Sequence, residues 1–451
     1  MKEACGLFGV FNTKNQPNTN TLKDVITGMK LLQHRGQDGC GVSYLNKTND
    51  IVTIKKLGLV KNSFNDLPNI NTHVVIGHVR YSTSGNSKNL DHTQPLYSHN
   101  NLGEYALAHN GNLSNVLHHD THYLISFINN CKKQNWKDIF IEMLDTIPGV
   151  YCLLILTNEG IYAIRDKFGV RPLVMGCNGN DYCVSSETSA FHRFNFYCNI
   201  NPGEIYFINK TGPKLLYSST EKLQNICSFE YIYFLRPNSI VDNLNVQLVR
   251  TQLGKTLATK DIIQNNELVC KWINAETIVI GIPDSGIIAA RAYADCLKLP
   301  YKQYIQKYEN MNRSFIESNN TERNKVCKKK FYYDEKNLTG KNVIIVDDTI
   351  VRGNVIKIII QQLKDIGVVD IHIRIPSPPI VNICKFGIDI PNKNELIATN
   401  NAGNKNIINI CNEIGATSLL YLDVNDLENI ISKNSCKGCF GGTYNNKLLE
   451  W

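Results

Sequence analysis

The sequence lacks any hydrophobic run long enough to cross a membrane. Its longest apolar stretches, such as VYCLLIL at 150–156, fall far short of the roughly 20 residues that a membrane-spanning helix needs. The first twenty residues include Lys2, Glu3 and Lys14 and contain no apolar segment of signal-peptide length. These absences argue against a membrane partner and against secretion, and they predict a cytoplasmic protein.

The sequence also lacks an internal repeat and a long block of one charge. The 48 Lys and Arg residues against 40 Asp and Glu residues give a formal net charge of +8, yet the lysines are dispersed, apart from CKKK at 327–330. A dispersed excess is usually solvated surface, and it suits a polyanionic small substrate. We therefore expect no nucleic-acid partner. With 451 residues the chain is long enough for two large domains.

Cysteine, by contrast, is abundant, with 15 residues. Because thiols stay reduced in the cytosol, we do not expect a disulfide framework, and residues such as Cys152 and Cys183 lie in strand-like runs typical of a core. Cys436 and Cys439 differ, because their two-residue gap sets both sulfurs within reach of one metal ion or cluster.

Two patterns of secondary structure divide the chain. Residues 5–225 contain short strand-like segments interrupted by helical stretches near 20–34 and 118–148, which predicts an α+β domain with sheets sandwiched by helices. From about residue 230 strands alternate with helices, which predicts an α/β domain with a parallel sheet. The polar segment 307–340 has little periodicity and is typical of a functional lid or a disordered loop.

The strongest local motif is VIIVDDTIVRGN at 343–354. It predicts a buried strand with two carboxylates at its carboxyl end, where open α/β sheets bind ligands. The N–H groups of the following loop and helix suit a phosphate, and the carboxylates can accept hydrogen bonds from ribose hydroxyls. The alternative, an acidic turn after a core strand, does not explain Gly353.

This motif resembles the signature of type I phosphoribosyltransferases, which bind phosphoribosyl pyrophosphate with Mg²⁺. GIPDSG at 281–286 is similar to the loop that holds the pyrophosphate in that family, although alone it is only a turn. The resemblance implies that Ser285 lies beside the metal with Asp347 and Asp348. The substrate-binding residues that it implies are Asp347, Asp348, Thr349, Ile350, Val351, Arg352, Gly353 and Asn354.

The amino-terminal half carries a second set of motifs behind the early pair Cys5-Gly6. HRGQDG (34–39), GHVRYST (77–83), AHNGNL (108–113) and DTHYLI (120–125) resemble the glutamine-hydrolysing domain of amidotransferases with an N-terminal nucleophile. The resemblance implies an α+β N-terminal-nucleophile hydrolase fold for this half.

Cys5 is the nucleophile that this resemblance implies. Removal of Met1–Ala4 as a propeptide would free its α-amine, whose pKa of about 7.7–8.0 lies close to the roughly 8.5 of a thiol, so that the amine can act as the base. Asn110 and Gly111 would form the oxyanion hole, where glycine allows close approach of the carbonyl.

Two charged residues are implied to bind glutamine. Arg80 offers a bidentate fork for the α-carboxylate, and Asp120 would bind the α-ammonium. Taken singly, Arg80 could form a surface ion pair, Asn110-Gly111 a hairpin turn and Asp120 a helix cap. Their joint occurrence in chain order behind Cys5 favours the glutaminase.

Together the two halves resemble the glutamine phosphoribosylpyrophosphate amidotransferase family, which catalyses the first committed step of purine synthesis. The resemblance implies that ammonia from glutamine attacks C1 of phosphoribosyl pyrophosphate, giving 5-phosphoribosylamine, glutamate and pyrophosphate. It also implies inhibition by purine nucleotides such as AMP and GMP, and a homotetramer. The divisions that it implies are a propeptide at 1–4, a glutaminase domain at 5–225, a phosphoribosyltransferase domain at 226–430 and a cluster-binding tail at 431–451.

Some members of this family carry a structural [4Fe-4S] cluster. The matching positions are Cys227, Cys384, Cys436 and Cys439. Four thiolates would also suit zinc. The resemblance further implies a lid over the substrate, with the candidate charges Lys307, Arg313, Lys328 and Lys330, although this chain reads KYEN from Lys307 where the family is usually more basic.

Two other function classes compete with this interpretation. A glucosamine-6-phosphate or asparagine synthesising amidotransferase would have a different second domain, and VDDTIVRG at 346–353 argues against both. A regulator with a phosphoribosyltransferase fold would have no use for Cys5, Asn110 or Asp120. Glutamine-dependent release of pyrophosphate separates an enzyme from such a regulator.

Overall fold

The computed structural model describes residues 5–449, apart from residues 15–19, 65–69, 82–88, 114–115, 117–118, 222, 224, 275, 309–330, 391 and 401–402. The predicted propeptide at 1–4 therefore lies outside the described residues, as do Arg313, Lys328 and Lys330 of the predicted lid. Within the described ranges, no helix has both the length and the apolar composition that crossing a bilayer demands.

The amino-terminal half is built on two antiparallel sheets. Its strands are β1 (Gly6–Asn12), β2 (Gly39–Leu45), β3 (Ile51–Leu57), β4 (Val74–Arg80), β5 (Leu96–Asn100), β6 (Gly103–Asn112), β7 (Val150–Thr157), β8 (Gly160–Arg165), β9 (Val174–Asn178), β10 (Asp181–Ser185), β11 (Asn195–Asn199), β12 (Glu204–Asn209) and β13 (Gly212–Ser218). Its helices are α1 (Asn20–Leu31), α2 (Val60–Ser63), α3 (Asp120–Asn130) and α4 (Trp136–Thr146). The strand orders are β11-β9-β10-β1-β4-β2-β3 and β13-β12-β8-β7-β6-β5.

Alternation along the strands assigns side chains to two faces of each sheet. In β1, Leu7 packs with Leu154 of β7 between the sheets, whereas Phe8 points the other way and packs with Met29 of α1. Phe140 of α4 packs on the outer face of the second sheet. The half is therefore a helix–sheet–sheet–helix sandwich, as the sequence predicted.

The carboxyl-terminal half has a central parallel sheet. Its strands are β14 (Ile240–Val241), β15 (Leu244–Asn245), β16 (Thr277–Gly281), β17 (Ile305–Lys307), β18 (Phe331–Tyr333), β19 (Asn342–Val346), β20 (Asp370–Ile375), β21 (Thr399–Asn400), β22 (Gly403–Asn404) and β23 (Ser418–Tyr421). Its helices are α5 (Val246–Gln264), α6 (Asn266–Asn274), α7 (Ile287–Leu297), α8 (Glu335–Leu338), α9 (Asn354–Ile366), α10 (Ile407–Ile414) and α11 (Val424–Ile430). The central order is β16-β19-β20-β23.

Apolar residues cover both faces of this sheet. Along β19, Ile344 and Val346 belong to the core on the side of α5 and α7, whereas Val343 and Ile345 belong to the core on the side of α9 and α10. A strand buried on both faces reads as a continuous apolar run, which is why VIIV signals a parallel strand. The α/β prediction for this half is confirmed.

Two predicted segments differ in detail. The helical stretch predicted near 118–148 is two helices, because Asn135 starts α4 by accepting a hydrogen bond from the N–H of Asp138. The segment 307–340 is not a loop at its ends, because β17 pairs antiparallel with β18 and α8 follows.

The carboxyl-terminal tail contacts the segment around residues 226–234 that joins the two halves, called the joining segment below. The Cys436 N–H donates to the Ile226 carbonyl at 2.9 Å, and the Ser228 N–H donates to the Cys436 carbonyl at 3.1 Å. A one-turn π-helix, Glu230–Phe234, follows in the joining segment. These bonds attach residues more than two hundred positions apart.

Candidate active site

Cys5 is held immediately before β1. The Arg35 Nε–H donates to the Cys5 carbonyl at 3.1 Å, and the Tyr81 N–H donates to Cys5 Sγ at 3.4 Å. Burial raises the pKa of the Cys5 thiol to about 12, and the negative charge of Asp120 adds to the effect. The Cys5 thiol is therefore protonated at neutral pH, and the hydrogen bond from the Tyr81 N–H fixes its orientation.

One cavity brings the predicted glutamine residues together. Its wall includes Cys5, Arg80, Gly111 and Asp120. Arg80 ends β4 and is 4% exposed, and its Nη1 donates to the Asn89 carbonyl at 3.2 Å. Asp120 is the first residue of α3, and its carboxylate accepts from the Thr121 N–H. A cation and an anion thus face one small space, as binding of a zwitterion requires.

Asn110 and Gly111 lie within β6 and not in a hairpin turn, because they pair with Cys152 and Tyr151 of β7. Asn110 is 1% exposed, and its Nδ2 has no hydrogen-bond partner among the described residues. A Cβ on Gly111 would come within 1.9 Å of the Val150 carbonyl oxygen, so only glycine fits there. Asn110 is not one of the residues that line the cavity, but its neighbour Gly111 is. An orphaned buried donor next to that wall suits a developing oxyanion.

Sequence reasoning missed the histidines of this cavity. His92, His109, His119 and His122 also line it. Burial lowers the pKa of His109, which lies 3.8 Å from Asp120 between Nδ1 and Oδ2. The run HHDTH at 118–122 was the available signal, since it places three of the chain's 11 histidines next to Asp120.

The carboxyl end of β19 brings Ser285 to the two aspartates. The Ser285 hydroxyl donates to the Asp348 carboxylate, and the Thr349 hydroxyl donates to its other oxygen at 2.8 Å. The Ser377 hydroxyl donates to the Asp348 carbonyl at 2.9 Å. The Asp348 N–H donates to the Asp347 carboxylate at 3.0 Å. These hydroxyls and carboxylates form an oxygen-rich site of the kind that Mg²⁺ prefers.

In the loop after these aspartates, several side chains are packed or paired, so the loop would contact a ligand mainly through its backbone N–H groups. Ile350 is buried in the core, and Val351 packs partly against the opposite core. The Arg352 Nε–H donates to Glu395 at 2.7 Å, so this guanidinium is paired at the surface. Gly353 has φ +80° and precedes Asn354, the first residue of α9. Lys307 of the predicted lid pairs with Asp284 at 2.9 Å.

All four predicted cluster ligands line a second cavity. Cys227, Cys384, Cys436 and Cys439 are free thiols there, and Arg171 belongs to the same wall. Burial raises the pKa of each thiol, to about 11 for Cys436. No group of three or more His, Cys, Asp or Glu within the described ranges is spaced to hold a single ion.

A buried ion-pair network joins the two cavities. Glu230 accepts hydrogen bonds from Arg35 at 3.0 and 3.1 Å and from Arg171 at 3.0 Å. Arg35 also holds the Cys5 carbonyl, and Arg171 donates to the Phe386 carbonyl at 2.9 Å. One carboxylate therefore links the cavity at Cys5, the joining segment and the loop of Cys384.

Comparisons with known proteins agree with both halves. The sequence pattern of a glutamine amidotransferase domain matches residues 78–193, and that of a phosphoribosyl transferase domain matches residues 254–376. Amidophosphoribosyltransferase from Bacillus subtilis is 33% identical over 100% of this chain and 96% of its own length. The protein of the same name from Pyrococcus horikoshii is 35% identical over 98% of this chain and 97% of its own.

Solved structures extend this agreement to the fold. Glutamine phosphoribosylpyrophosphate amidotransferase from B. subtilis, complexed with ADP and GMP, has a TM-score of 0.85 at 33% identity and covers 98% of this chain and 97% of its own. A structure described as the allosteric regulatory enzyme of purine biosynthesis has a TM-score of 0.86, with 98% and 96% coverage. Identity and fold agree over nearly the full length of each chain, and this protein belongs to the amidophosphoribosyltransferase family.

Proposed function

We propose that this protein hydrolyses glutamine at Cys5 and transfers the ammonia to C1 of phosphoribosyl pyrophosphate, as an amidophosphoribosyltransferase of purine synthesis. The products are 5-phosphoribosylamine, glutamate and pyrophosphate. The observation that carries the proposal is the cavity at Cys5, in which Arg80 and Asp120 match the charges of an amino acid and which Gly111 also lines.

Cys5 Sγ attacks the side-chain amide carbonyl of glutamine. Arg80 binds the α-carboxylate with its planar fork, and Asp120 accepts from the α-ammonium. The amide oxygen gains negative charge in the transition state, where the Asn110 Nδ2–H and the Gly111 N–H stabilise it. The lack of a resting partner for Asn110 Nδ2 among the described residues supports this role.

The proton of Cys5 leaves as the carbon–sulfur bond forms. A thiol with a pKa near 12 supplies almost no thiolate at neutral pH, so a base must act during the attack. We assign this base to the α-amine of Cys5, freed by removal of the propeptide 1–4. The amine then returns the proton to the leaving ammonia, and water hydrolyses the thioester to glutamate.

The second site binds the activated sugar. Asp347 and Asp348 accept hydrogen bonds from the ribose hydroxyls, and the N–H groups of residues 349–354 bind the 5-phosphate. Ser285, Asp347 and Asp348 are the residues that would hold Mg²⁺, which when bound neutralises the pyrophosphate leaving group. Lys307 lies at the start of the segment that would cover this substrate.

The four cysteines would hold a [4Fe-4S] cluster, which when bound supplies a structural crosslink. Four thiolates are the usual donor set of such clusters, and zinc would accept the same four. Cys436 and Cys439 belong to the tail, Cys227 to the joining segment and Cys384 to the loop beside β6. The proposed division keeps the limits 5–225, 226–430 and 431–451.

Regulation and assembly are part of the same proposal. The B. subtilis relative binds ADP and GMP in its solved complex, which supports purine nucleotides as inhibitors of this protein. We propose a homotetramer in the cytoplasm, with no nucleic-acid partner.

The purified full-length chain tests the proposal. Incubation with phosphoribosyl pyrophosphate and Mg²⁺ is expected to release pyrophosphate and glutamate in equal amounts when glutamine is added. Intact-mass spectrometry under native conditions is expected to find a chain that begins at Cys5 and carries the mass of the cluster. A chain that begins at Met1 yet hydrolyses glutamine at full rate would contradict the assignment of the α-amine.

A further inference from the structure

His92 occupies an unassigned place in the glutamine cavity. It ends the short 3₁₀ helix Leu90–His92 and lines the cavity with Cys5 and Arg80. Its ring centroid lies 4.1 Å from that of His119, which limits rotation of the imidazole.

The tautomer of His92 follows from its neighbour Asn89. The Asn89 Oδ1 accepts the N–H of Asp91 at 2.9 Å, and this cap fixes the orientation of the amide. The Asn89 Nδ2 therefore faces His92 Nε2 at 3.4 Å. An amide nitrogen only donates, so Nε2 of His92 accepts, and the proton of the neutral imidazole is on Nδ1.

The resulting Nδ1–H is a buried donor with no hydrogen-bond partner among the described residues. Such a donor costs stability unless a ligand uses it. We infer that His92 is a glutamine-binding residue that donates its Nδ1–H to the substrate α-carboxylate beside Arg80. This inference rests on the proposed function, which assigns that carboxylate to Arg80.

The α-carboxylate is the glutamine group that fits these donors. Asn89 holds both side chains, because its carbonyl accepts from Arg80 Nη1 at 3.2 Å while its amide contacts His92. Asn89 thus positions two donors, Arg80 and His92, and these require an acceptor from the ligand. The α-ammonium only donates, so we place it at Asp120. The side-chain amide must lie at Cys5. The carboxylate is the group left for the space beside Arg80.

A neutral histidine is suited to this position. Burial lowers the pKa of His92, and the neighbouring His119, Arg80 and His122 lower it further against the opposing charge of Asp91. The ring therefore donates a directed hydrogen bond without placing a second positive charge against Arg80. It adds selectivity for the carboxylate where a lysine would add only charge.

The test compares His92→Phe, which keeps a ring but has no donor, with His92→Asn, whose amide can donate from the position of Nδ1. His99→Phe is the matched control, because His99 is exposed on β5 and does not line the cavity. Initial rates of glutamate release and of ammonia-dependent pyrophosphate release are measured on the full-length enzyme. Glutamine is compared with its α-carboxamide analogue, glutaminamide.

We expect His92→Phe to raise the KM for glutamine about 10-fold, with kcat changed less than about twofold and ammonia-dependent activity unchanged. His92→Asn is expected to restore most of the loss, and His99→Phe to match the wild type. With glutaminamide, the difference between wild type and His92→Phe is expected to be smaller, because the neutral amide oxygen accepts a weaker hydrogen bond than a carboxylate does.

An unchanged KM in His92→Phe, or an equal loss with glutamine and glutaminamide, would overturn the role of His92. A fall in ammonia-dependent activity would show general structural damage and would also overturn it. Failure of the wild-type enzyme to hydrolyse glutamine would instead refute the proposed function itself.

Discussion

Single buried donors define the chemistry at the scale of the residue. Asn110 is almost fully enclosed, yet its amide nitrogen has no partner within the described residues. An unmade hydrogen bond of this kind costs about 1–3 kcal/mol. An enzyme tolerates this cost in the resting state when the donor makes its hydrogen bond in the transition state. A donor that is already positioned for an oxyanion needs no reorganisation during the reaction.

Asn110→Ala tests this role of the side chain. We expect kcat for glutamine hydrolysis to fall about 10²–10³-fold with little change in KM, because the donor acts mainly in the transition state. Ammonia-dependent synthesis should be retained. Steady-state kinetics with each nitrogen donor provide the measurement.

Asn112→Ala is the matched control for this strand. Asn112 ends β6 and donates to the Lys385 carbonyl at 3.2 Å, so its amide nitrogen, unlike that of Asn110, has a partner among the described residues. Asn112→Ala should reduce kcat for glutamine hydrolysis only a few-fold. Equal losses in the two variants would show that the strand end, and not the Asn110 amide, is responsible.

At the scale of the element, the proposed ligand-binding residues lie where strands end and helices begin. Asp347 and Asp348 follow directly after β19, and α9 starts at Asn354, immediately after Gly353. With φ at +80°, Gly353 adopts a left-handed conformation that costs other residues about 1–2 kcal/mol. An added Cβ would also approach Ile397 Cδ1 to 2.3 Å. The loop that we propose to bind the phosphate therefore depends on glycine at position 353.

Gly353→Ala is expected to raise the KM for phosphoribosyl pyrophosphate at least several-fold and to lower the unfolding temperature, because strain and the clash displace the loop. Gly367→Ala is the control, since Gly367 has φ +93° at the other end of α9, far from the aspartates in sequence. It should destabilise through the same strain without changing KM. A similar KM effect in both variants would contradict a local role for Gly353.

The tail is a second element, and it is hydrogen-bonded to the joining segment at Cys436 and to Val381 and Asn382 through the Cys439 carbonyl. Cys436→Ser is expected to abolish the visible absorbance and the bound iron of the purified protein and to lower its unfolding temperature, because one ligand of the proposed cluster is lost. Cys270→Ser, at an exposed free cysteine of α6, should retain both. Iron analysis and thermal unfolding distinguish the two. Retention of four irons by Cys436→Ser would refute the ligand assignment.

A buried charge network couples the halves at the scale of the whole molecule. Glu187 accepts from His34 at 2.7 Å and from the Arg236 N–H and the Ser239 hydroxyl at 2.8 Å each. Glu230 binds Arg35 and Arg171 nearby. Removal of one member of such a network strands charge in the interior and costs about 3–5 kcal/mol. Loss of one of these charges is therefore expected to weaken the interface between the two halves.

Acid should weaken this interface. His34 and Arg35 hold the pKa of Glu187 well below its usual range, despite burial. A depressed folded-state pKa contributes stability that is fully present above the unfolded-state value of about 4.3 and is lost as the pH falls through the folded-state value, which lies well below it. Glu187→Gln is thus expected to lower the unfolding temperature by several degrees at pH 7, and its difference from the wild type should shrink only below about pH 4.

Thermal unfolding of both proteins from pH 7 to about pH 2 provides the measurement. Glu142→Gln, which removes a surface pair with Lys133, should change little across this range. A difference between wild type and Glu187→Gln that does not shrink between about pH 4 and pH 2 would show that the Glu187 charge is not the source.

Local patterns were sufficient for much of this molecule. The apolar run VIIV before two aspartates predicted a parallel strand with a ligand site at its end, since burial on both faces leaves a continuous signature. The family, the fold class and the enzyme activity also followed from motifs, and the comparisons confirm them. Motifs succeed here because each needs only neighbours in sequence.

Tertiary structure decided which distant residues share a space. Taken alone, Asn110-Gly111 suited a hairpin turn, whereas pairing with β7 places both residues near the end of a strand. His92 and Asp120 come from separate segments, and their approach to Cys5 depends on how two sheets and α3 pack. Periodicity carries no information about such contacts, because the free energy that forms them comes from burial across the whole domain.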